Sequence, residues 1–468
     1  LNATTILRHA GGYLPFSVNL DEVFVAGVPN ELIVRVRDET DTSCWSRGKQ
    51  SSRPGGIWYT PQSGIWQTVW LERAPKRRIE VLRITPLYDE GEVELSVWTN
   101  CGGEGSVLLL GSETPFVSGT PLRLPMPGFT PWSPEQPKLY DFAVDFERDH
   151  VESYFAMRKF SVDRDEQGTP RLFLNNAPYF HNGVLDQGYW PDGLYTAPSD
   201  EAMVYDIELM KSMGFNMLRK HIKIEPLRWY YHCDRLGMIV WQDMPNGGLI
   251  DGEVVAFLAL SMDFHRNDTR NLRRFGRADE ANRAGYRSEL QGMVDHLYNA
   301  ACIAVWVPFN ESWGQFHARE TADWLKGYDP SRLVDHASGW FDQRGGDFQS
   351  RHIYFKRLFR PKPDGRAFVI SEFGGYSLKV PGHMWDAQKK FGYRFYDSRE
   401  ALSEAYVKLL EKELMPLIPR GLMAAIYTET TDVEIEINGY LTYDRVVEKM
   451  DAELLRQVHE RVIRAAKS

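Results

Sequence analysis

Two glutamates stand directly behind short apolar runs. Ile303-Ala-Val-Trp-Val-Pro-Phe309 leads into Asn310-Glu311-Ser312-Trp313-Gly314, and Phe368-Val-Ile370 leads into Ser371-Glu372-Phe373-Gly374-Gly375. A carboxylate at the end of a buried strand is costly unless it is partnered. A single such glutamate usually caps the next helix or pairs with an arginine. Two of them, flanked by Asn, Trp, Phe and Gly-Gly, point instead to chemistry. Paired carboxylates about 5 to 5.5 Å apart perform glycoside hydrolysis by double displacement, one as nucleophile and the other as acid and then base. The Asn310 amide beside Glu311 is suited to hold the sugar hydroxyl next to the anomeric carbon. Glu311 is therefore the expected acid/base and Glu372 the expected nucleophile. The acid must keep its proton near neutral pH, and repulsion from the second carboxylate is expected to ensure that.

These residues need elements that bring them together. From about residue 165, short apolar runs alternate with helical patterns for some 300 residues, too long for one ordinary open sheet and suited to an eight-fold β/α barrel. Reactive groups in such a barrel sit at the carboxyl ends of the strands. If the two runs are the fourth and seventh strands, Glu311 and Glu372 face each other across the mouth. Ser199-Asp200 supplies a helix start and Gly214 a stop. Before the barrel, period-two alternation such as Glu31-Leu-Ile-Val-Arg-Val-Arg37, Gln67-Thr-Val-Trp-Leu-Glu72 and Glu92-Val-Glu-Leu-Ser-Val-Trp98 reads as two β-sandwiches. The expected division is 1–75, 76–163 and 164–468.

Composition sets the outer limits. The chain has 468 residues and a net charge of −9, which disfavours nucleic acid as a partner. No run approaches the roughly 20 apolar residues of a membrane helix. Cys44, Cys101, Cys233 and Cys302 are too scattered for a zinc pattern and are expected as free thiols. Aromatic residues reach 13%, and such rings serve either as core or as faces on which sugars stack.

The motifs together resemble glycoside hydrolase family 2, the family of β-galactosidases, β-glucuronidases and β-mannosidases. Asn310-Glu311 matches its acid/base motif and Ser371-Glu372-Phe373-Gly374 its nucleophile motif. His9-Ala-Gly-Gly-Tyr-Leu-Pro-Phe16 and Gly64-Ile-Trp-Gln-Thr-Val-Trp-Leu-Glu72 resemble its jelly-roll domain. Trp132-Ser-Pro-Glu-Gln-Pro-Lys-Leu-Tyr140 and Arg158-Lys-Phe160 resemble the end of its immunoglobulin-like domain. Asn216-Met-Leu-Arg219 with Cys233-Asp-Arg-Leu-Gly237 resembles the second barrel strand and its helix. The resemblance thus implies a jelly-roll-like domain over 1–75, an immunoglobulin-like sandwich over 76–163 and a TIM barrel over 164–468. Because Leu1-Asn2-Ala3 falls where the family has an internal hairpin, the leading strands are expected to lie outside this sequence, with 1–75 weakly ordered or covered by a partner.

The same resemblance implies roles at the site. Arg219 should hold the Glu372 carboxylate, Tyr354 should donate to it, and Asp243 should bind a sugar hydroxyl or Arg219. Asp186, Gln187 and Trp190 offer polar and stacking groups, as do Trp313 and Trp340, while Tyr427 stands where relatives carry a platform tryptophan on strand eight. Glu436-Ile437-Asn438 occupies the place of the Asn-x-Lys motif that grips a uronate, so glucuronide is disfavoured. Pro245-Asn246-Gly247-Gly248-Leu249 lacks the magnesium ligands of the large β-galactosidases, so neither metal nor cofactor is expected. The expected activity is a retaining exo-β-glycosidase acting on an oligosaccharide or glycoside, β-galactoside first, then β-glucoside or β-mannoside. A carbohydrate-binding or scaffolding protein of the same fold is the alternative. No membrane partner is expected, homo-oligomerisation stays open, and cytoplasmic and secreted locations are both compatible with the sequence.

Overall fold

The computed structural model describes residues 1–249, 266–270 and 272–467. Eight parallel strands form one sheet: His181–Asp186, Met217–Lys220, Ile239–Asp243, Ile303–Val307, Leu333–Val334, Phe348–Ile353, Ala367–Gly374 and Leu422–Thr428. Their order is 5-4-3-2-1-8-7-6, so the first strand pairs with the eighth and the sheet wraps into a barrel. Strands five and six do not pair in the sheet, and the Asp347 backbone N–H to Val334 oxygen bond of 2.9 Å helps close that seam. Every residue of strands one to four is buried, as expected for parallel strands covered on both faces. The first barrel helix runs Asp200–Ser212, with the Ser199 side chain accepting from the Ala202 N–H and Gly214 at φ 90° just beyond its end.

Upstream, seven antiparallel strands lie in two sheets, of four and three strands, between Ile79 and Phe155. Their alternating apolar residues, among them Val93, Leu95, Val107, Leu109, Phe142 and Val144, meet in one core. This unit is fixed to the floor of the barrel by the buried Arg158, whose guanidinium donates to the backbone oxygens of Ala301 (3.0 Å) and Ser331 (3.2 Å), just ahead of strands four and five.

Residues 1–75 depart from the alternation-based expectation. They contain only isolated bridges, Gln50 with Tyr59 and Gly55 with Trp58, and no strand. Ile33, Val69, Trp70 and Leu71 are 70–79% exposed. Period-two alternation pays only beside a neighbour that takes the backbone hydrogen bonds and covers the apolar face, and no strand lies beside these runs. One part of the region is firmly placed: Ser46–Gln50 and Tyr59 are buried against the barrel mouth, where the Arg47 and Gly48 N–H groups donate to the Asn246 oxygen (2.8 and 3.2 Å).

Candidate active site

Strand four ends at Val307, and the chain then turns so that Glu311 (φ 50°) and Ser312 (φ 65°) occupy the left-handed region. That conformation costs an ordinary side chain about 1–2 kcal/mol and is typical of sites where a side chain must be aimed. The Glu311 N–H donates to the Ser338 oxygen at 2.9 Å, which pins the turn to the chain leaving strand five. Glu372 lies within strand seven, in register with His352 on strand six. Two residues on, Gly374 sits at φ 90°, and a Cβ there would come within 2.1 Å of the Tyr427 ring, so only glycine fits behind the glutamate.

Arg219, at the end of strand two, is fully buried and ties the site together. Its Nε and Nη2 donate to the two Asp243 oxygens at 2.9 and 3.0 Å, its Nη1 to Glu372 Oε1 at 3.0 Å, and its Nη2 to Asn310 Oδ1 at 2.8 Å. Such a fork fixes carboxylates in orientation as well as in charge. Asp243 Oδ2 also lies 2.7 Å from His221 Nδ1. Because Arg219 takes the Asn310 oxygen, the Asn310 Nδ2 donor is left buried and unpartnered. The Tyr354 hydroxyl donates to Glu372 Oε2 and lies 3.1 Å from Thr428 Oγ1. Arg219, Asp243, Asn310, Glu311, Tyr354 and Glu372 are thus brought to one place.

A seventh group, absent from the sequence-based set, joins them. His352 Nδ1 lies 2.9 Å from Glu311 Oε1 and 3.3 Å from Glu372 Oε2, and its Nε2 is 2.8 Å from Ser338 Oγ. Burial lowers its pKa to about 3, so the ring is neutral in the ordinary range. Nδ1 then carries the proton that faces both carboxylates, and Nε2 accepts from Ser338. The donor atoms of Glu311, His352 and Glu372 lie within 4.8 Å of one another, close enough to hold a metal ion. The hydrogen bonds among them account for this closeness without one. The Glu311 pKa is raised, as its proposed task as an acid requires, but the cause is burial, opposed by Lys49 and Arg219, rather than repulsion from Glu372.

The remaining expected residues lie further out. Asp186 accepts from Lys220 Nζ (2.7 Å) and the Gly188 N–H (2.9 Å), inside a buried ion-pair cluster with Glu225 and Lys223. Trp190 is buried beneath the Arg445 guanidinium, 3.9 Å from its ring centre. Trp313 packs edge-on to Trp58, and Trp340 packs edge-on to His352 at 5.6 Å. Tyr427 is a correction. It is fully buried among Phe373, Tyr406 and Tyr440, with its oxygen accepting from the Tyr376 N–H at 3.0 Å, so it is core rather than a sugar platform. Gln187 donates to Glu429 Oε2 (2.8 Å) and to the Tyr59 oxygen (2.9 Å), and Tyr59 in turn donates to Glu436. This strand-eight wall of Glu429 and Glu436, faced by Tyr59 and Lys49 from the N-terminal segment, is a second feature the motifs did not announce. Tyr393 completes the rim, stacked on Tyr354 with ring centres 4.4 Å apart.

The C-terminal end of the parallel barrel thus holds two carboxyls close together, one of them clamped by arginine and tyrosine. Residues 170–361 match the family model described as "Glycosyl hydrolases family 2, TIM barrel domain". A β-galactosidase of Leuconostoc mesenteroides subsp. mesenteroides is 26% identical over 337 residues, covering 65% of this chain and 30% of that protein. A putative β-glucuronidase of Formosa agariphila is 27% identical over 432 residues, covering 79% of this chain and 46% of that protein. Among solved structures, a family 2 β-galacturonidase from Eisenbergiella tayi bound to glycerol aligns with TM-score 0.62 at 18% identity, over 86% of this chain and 75% of that one. The similarity to glycoside hydrolase family 2 is thus carried by the barrel, and the solved structure shares the fold. The chain spans 30% and 46% of the length of these two curated relatives.

Proposed function

We propose that this chain is a retaining exo-β-glycosidase that removes a terminal β-linked sugar, with β-galactoside as the first substrate and β-glucoside or β-mannoside behind it. The observation that carries this reading is the Glu311–His352–Glu372 constellation, whose carboxylate oxygens lie within 4.8 Å. That favours the short carboxyl spacing of double displacement over the roughly 6.5–9.5 Å that inversion needs to seat a water. Glu372, held by Arg219 and Tyr354, attacks the anomeric carbon. Glu311 protonates the departing oxygen, then takes a proton from the water that releases the sugar. The buried, unpartnered Asn310 Nδ2 is the donor for the neighbouring sugar hydroxyl.

The test is Glu372→Ala on nitrophenyl β-glycosides, with and without azide. Turnover of the best substrate should fall by several orders of magnitude, and azide should restore part of it as the α-glycosyl azide. Wild-type rates in Glu372→Ala, or a β-glycosyl azide product, refute the scheme. A tyrosine in place of the platform tryptophan gives the binding-only alternative no support, because Tyr427 lies in the core. Measurable wild-type turnover of any β-glycoside eliminates that alternative.

A further inference from the structure

Lys49 reaches the site from a part of the chain far removed from the barrel. The Tyr59 N–H donates to its backbone oxygen at 2.8 Å, and Gly48 beside it donates to Asn246, which follows strand three. Lys49 is only 8% exposed, yet among the described residues its ammonium has no hydrogen-bond or ion-pair partner. The segment that carries it touches the strand-eight wall directly, where the Tyr59 hydroxyl donates to Glu436 and the Thr60 N–H to Glu434 Oε1 at 2.7 Å, and the Lys49 charge opposes proton uptake at Glu311, Glu429 and Glu436 alike. Other buried polar atoms at the mouth also lack partners: Glu429 Oε1, Asn310 Nδ2 and His221 Nε2. His221 Nδ1 faces Asp243, so it carries the ring proton and leaves Nε2 as an acceptor.

The vacant groups are therefore mixed: donors on Lys49 and Asn310, an acceptor on His221, and on Glu429 a carboxyl oxygen that accepts when ionised and donates when it holds the proton that burial favours. A sugar hydroxyl both donates and accepts, and so satisfies either kind. A carboxylate only accepts, and it would meet the Glu429 and Glu436 carboxyls beside Lys49. We propose that Lys49 contacts the glycone directly and, with Glu429, forms a hydroxyl clamp that selects an uncharged sugar over a uronate. This rests on the glycosidase reading above and deepens it.

The experiment compares the wild type, Lys49→Met and Lys49→Arg on nitrophenyl β-galactoside, β-glucoside, β-mannoside, β-glucuronide and β-galacturonide. It continues on monodeoxy forms of the preferred sugar. The wild type should favour a neutral glycoside over both uronides, and Lys49→Met should lower kcat/KM on it about 10- to 150-fold, the worth of one hydrogen bond to a charged group. Lys49→Arg should recover part of that loss. On the deoxy sugar lacking the gripped hydroxyl, Lys49→Met and wild type should agree within about twofold, a convergence that a merely structural lysine would not produce. Faster uronide hydrolysis by the wild type overturns the selection for an uncharged sugar. Equal loss on every deoxy sugar, or no loss on any substrate, overturns the contact. Should Lys49→Met not fold, Lys49→Arg and the deoxy series on wild type decide: a deoxy penalty unchanged by Lys49→Arg at every position refutes the contact. Failure of the glycosidase reading itself shows separately, as absence of wild-type turnover across the panel.

Discussion

Replacing His352 by phenylalanine isolates what the shared donor between the carboxyls contributes. The wild-type ring is neutral, so the change removes hydrogen bonds and no charge. One bond, at 2.9 Å to Glu311, is of full strength, whereas the second, at 3.3 Å to Glu372, is long. A hydrogen bond to a charged group is worth about 1.5–3 kcal/mol, so one full bond and one weak one amount to about 2–3 kcal/mol, or about 30- to 150-fold in kcat. The slot retains its Trp340 wall, and Ser338 Oγ keeps Ser371 Oγ at 3.0 Å, so no hydroxyl is stranded. The sign of the pH effect follows from the donor's preference for the ionised acid. Without it Glu311 holds its proton more firmly, and the basic limb of the kcat/KM profile moves to higher pH. His352→Asn, which returns an amide N–H near the Nδ1 position, should recover much of the rate and move the limb back. A kcat within about twofold of wild type in His352→Phe, or a basic limb moving to lower pH, would refute the shared-donor argument.

Glu311→Gln should lower kcat for unactivated glycosides by about 10²–10⁴-fold and abolish the basic limb. Because burial raises the Glu311 pKa in the fold, its protonated form favours folding, and that stability is lost as pH rises from the unfolded toward the folded value. The Gln variant should therefore melt above wild type at pH 7 and converge with it in acid, which thermal unfolding across pH will show. Tyr427→Phe strands the buried Tyr376 N–H and should cost about 1–3 kcal/mol in urea unfolding, with kcat/KM within about twofold of wild type; a large rise in KM would restore Tyr427 to the sugar site.

What could be read from the chain was whatever is local. Glu311 follows its strand and Glu372 lies near the end of its own, and the Asn310 and Gly-Gly neighbours needed there stand beside them in sequence. His352 was legible as well, since it precedes Tyr354 by two along an extended run at the end of strand six and side chains two apart in such a run share a face. The wall of Lys49, Tyr59, Glu429 and Glu436 was not, because it exists only once residues more than 370 positions apart meet, as Tyr59 and Glu436 do. Alternation in residues 1–75 misled for the converse reason: the pattern states a preference, and the fold must supply the neighbour. The raised pKa of Glu311 was anticipated with the wrong cause, because sequence shows the second carboxylate but not the burial.

The charges at the mouth fit the chemistry proposed for it. Arg219 is one cation serving two carboxyls, Asp243 and Glu372, and because burial lifts the Asp243 pKa to about 7, the cluster turns net negative beside the anomeric carbon only as Asp243 ionises. An oxocarbenium-like transition state develops positive charge at that point, and a negative cluster stabilises it more than the neutral ground state. Lys49 left unbalanced would work against this. Burial raises the pKa of Glu429 and Glu436 and favours their neutral forms, Lys49 works against that, and whatever negative charge the two carry lies beside that cation on the side of strand eight. The ammonium is then available to orient hydroxyls without opposing the charge that forms during bond cleavage. For the same reason a second carboxylate brought in by the substrate would disturb a balance the chain already holds.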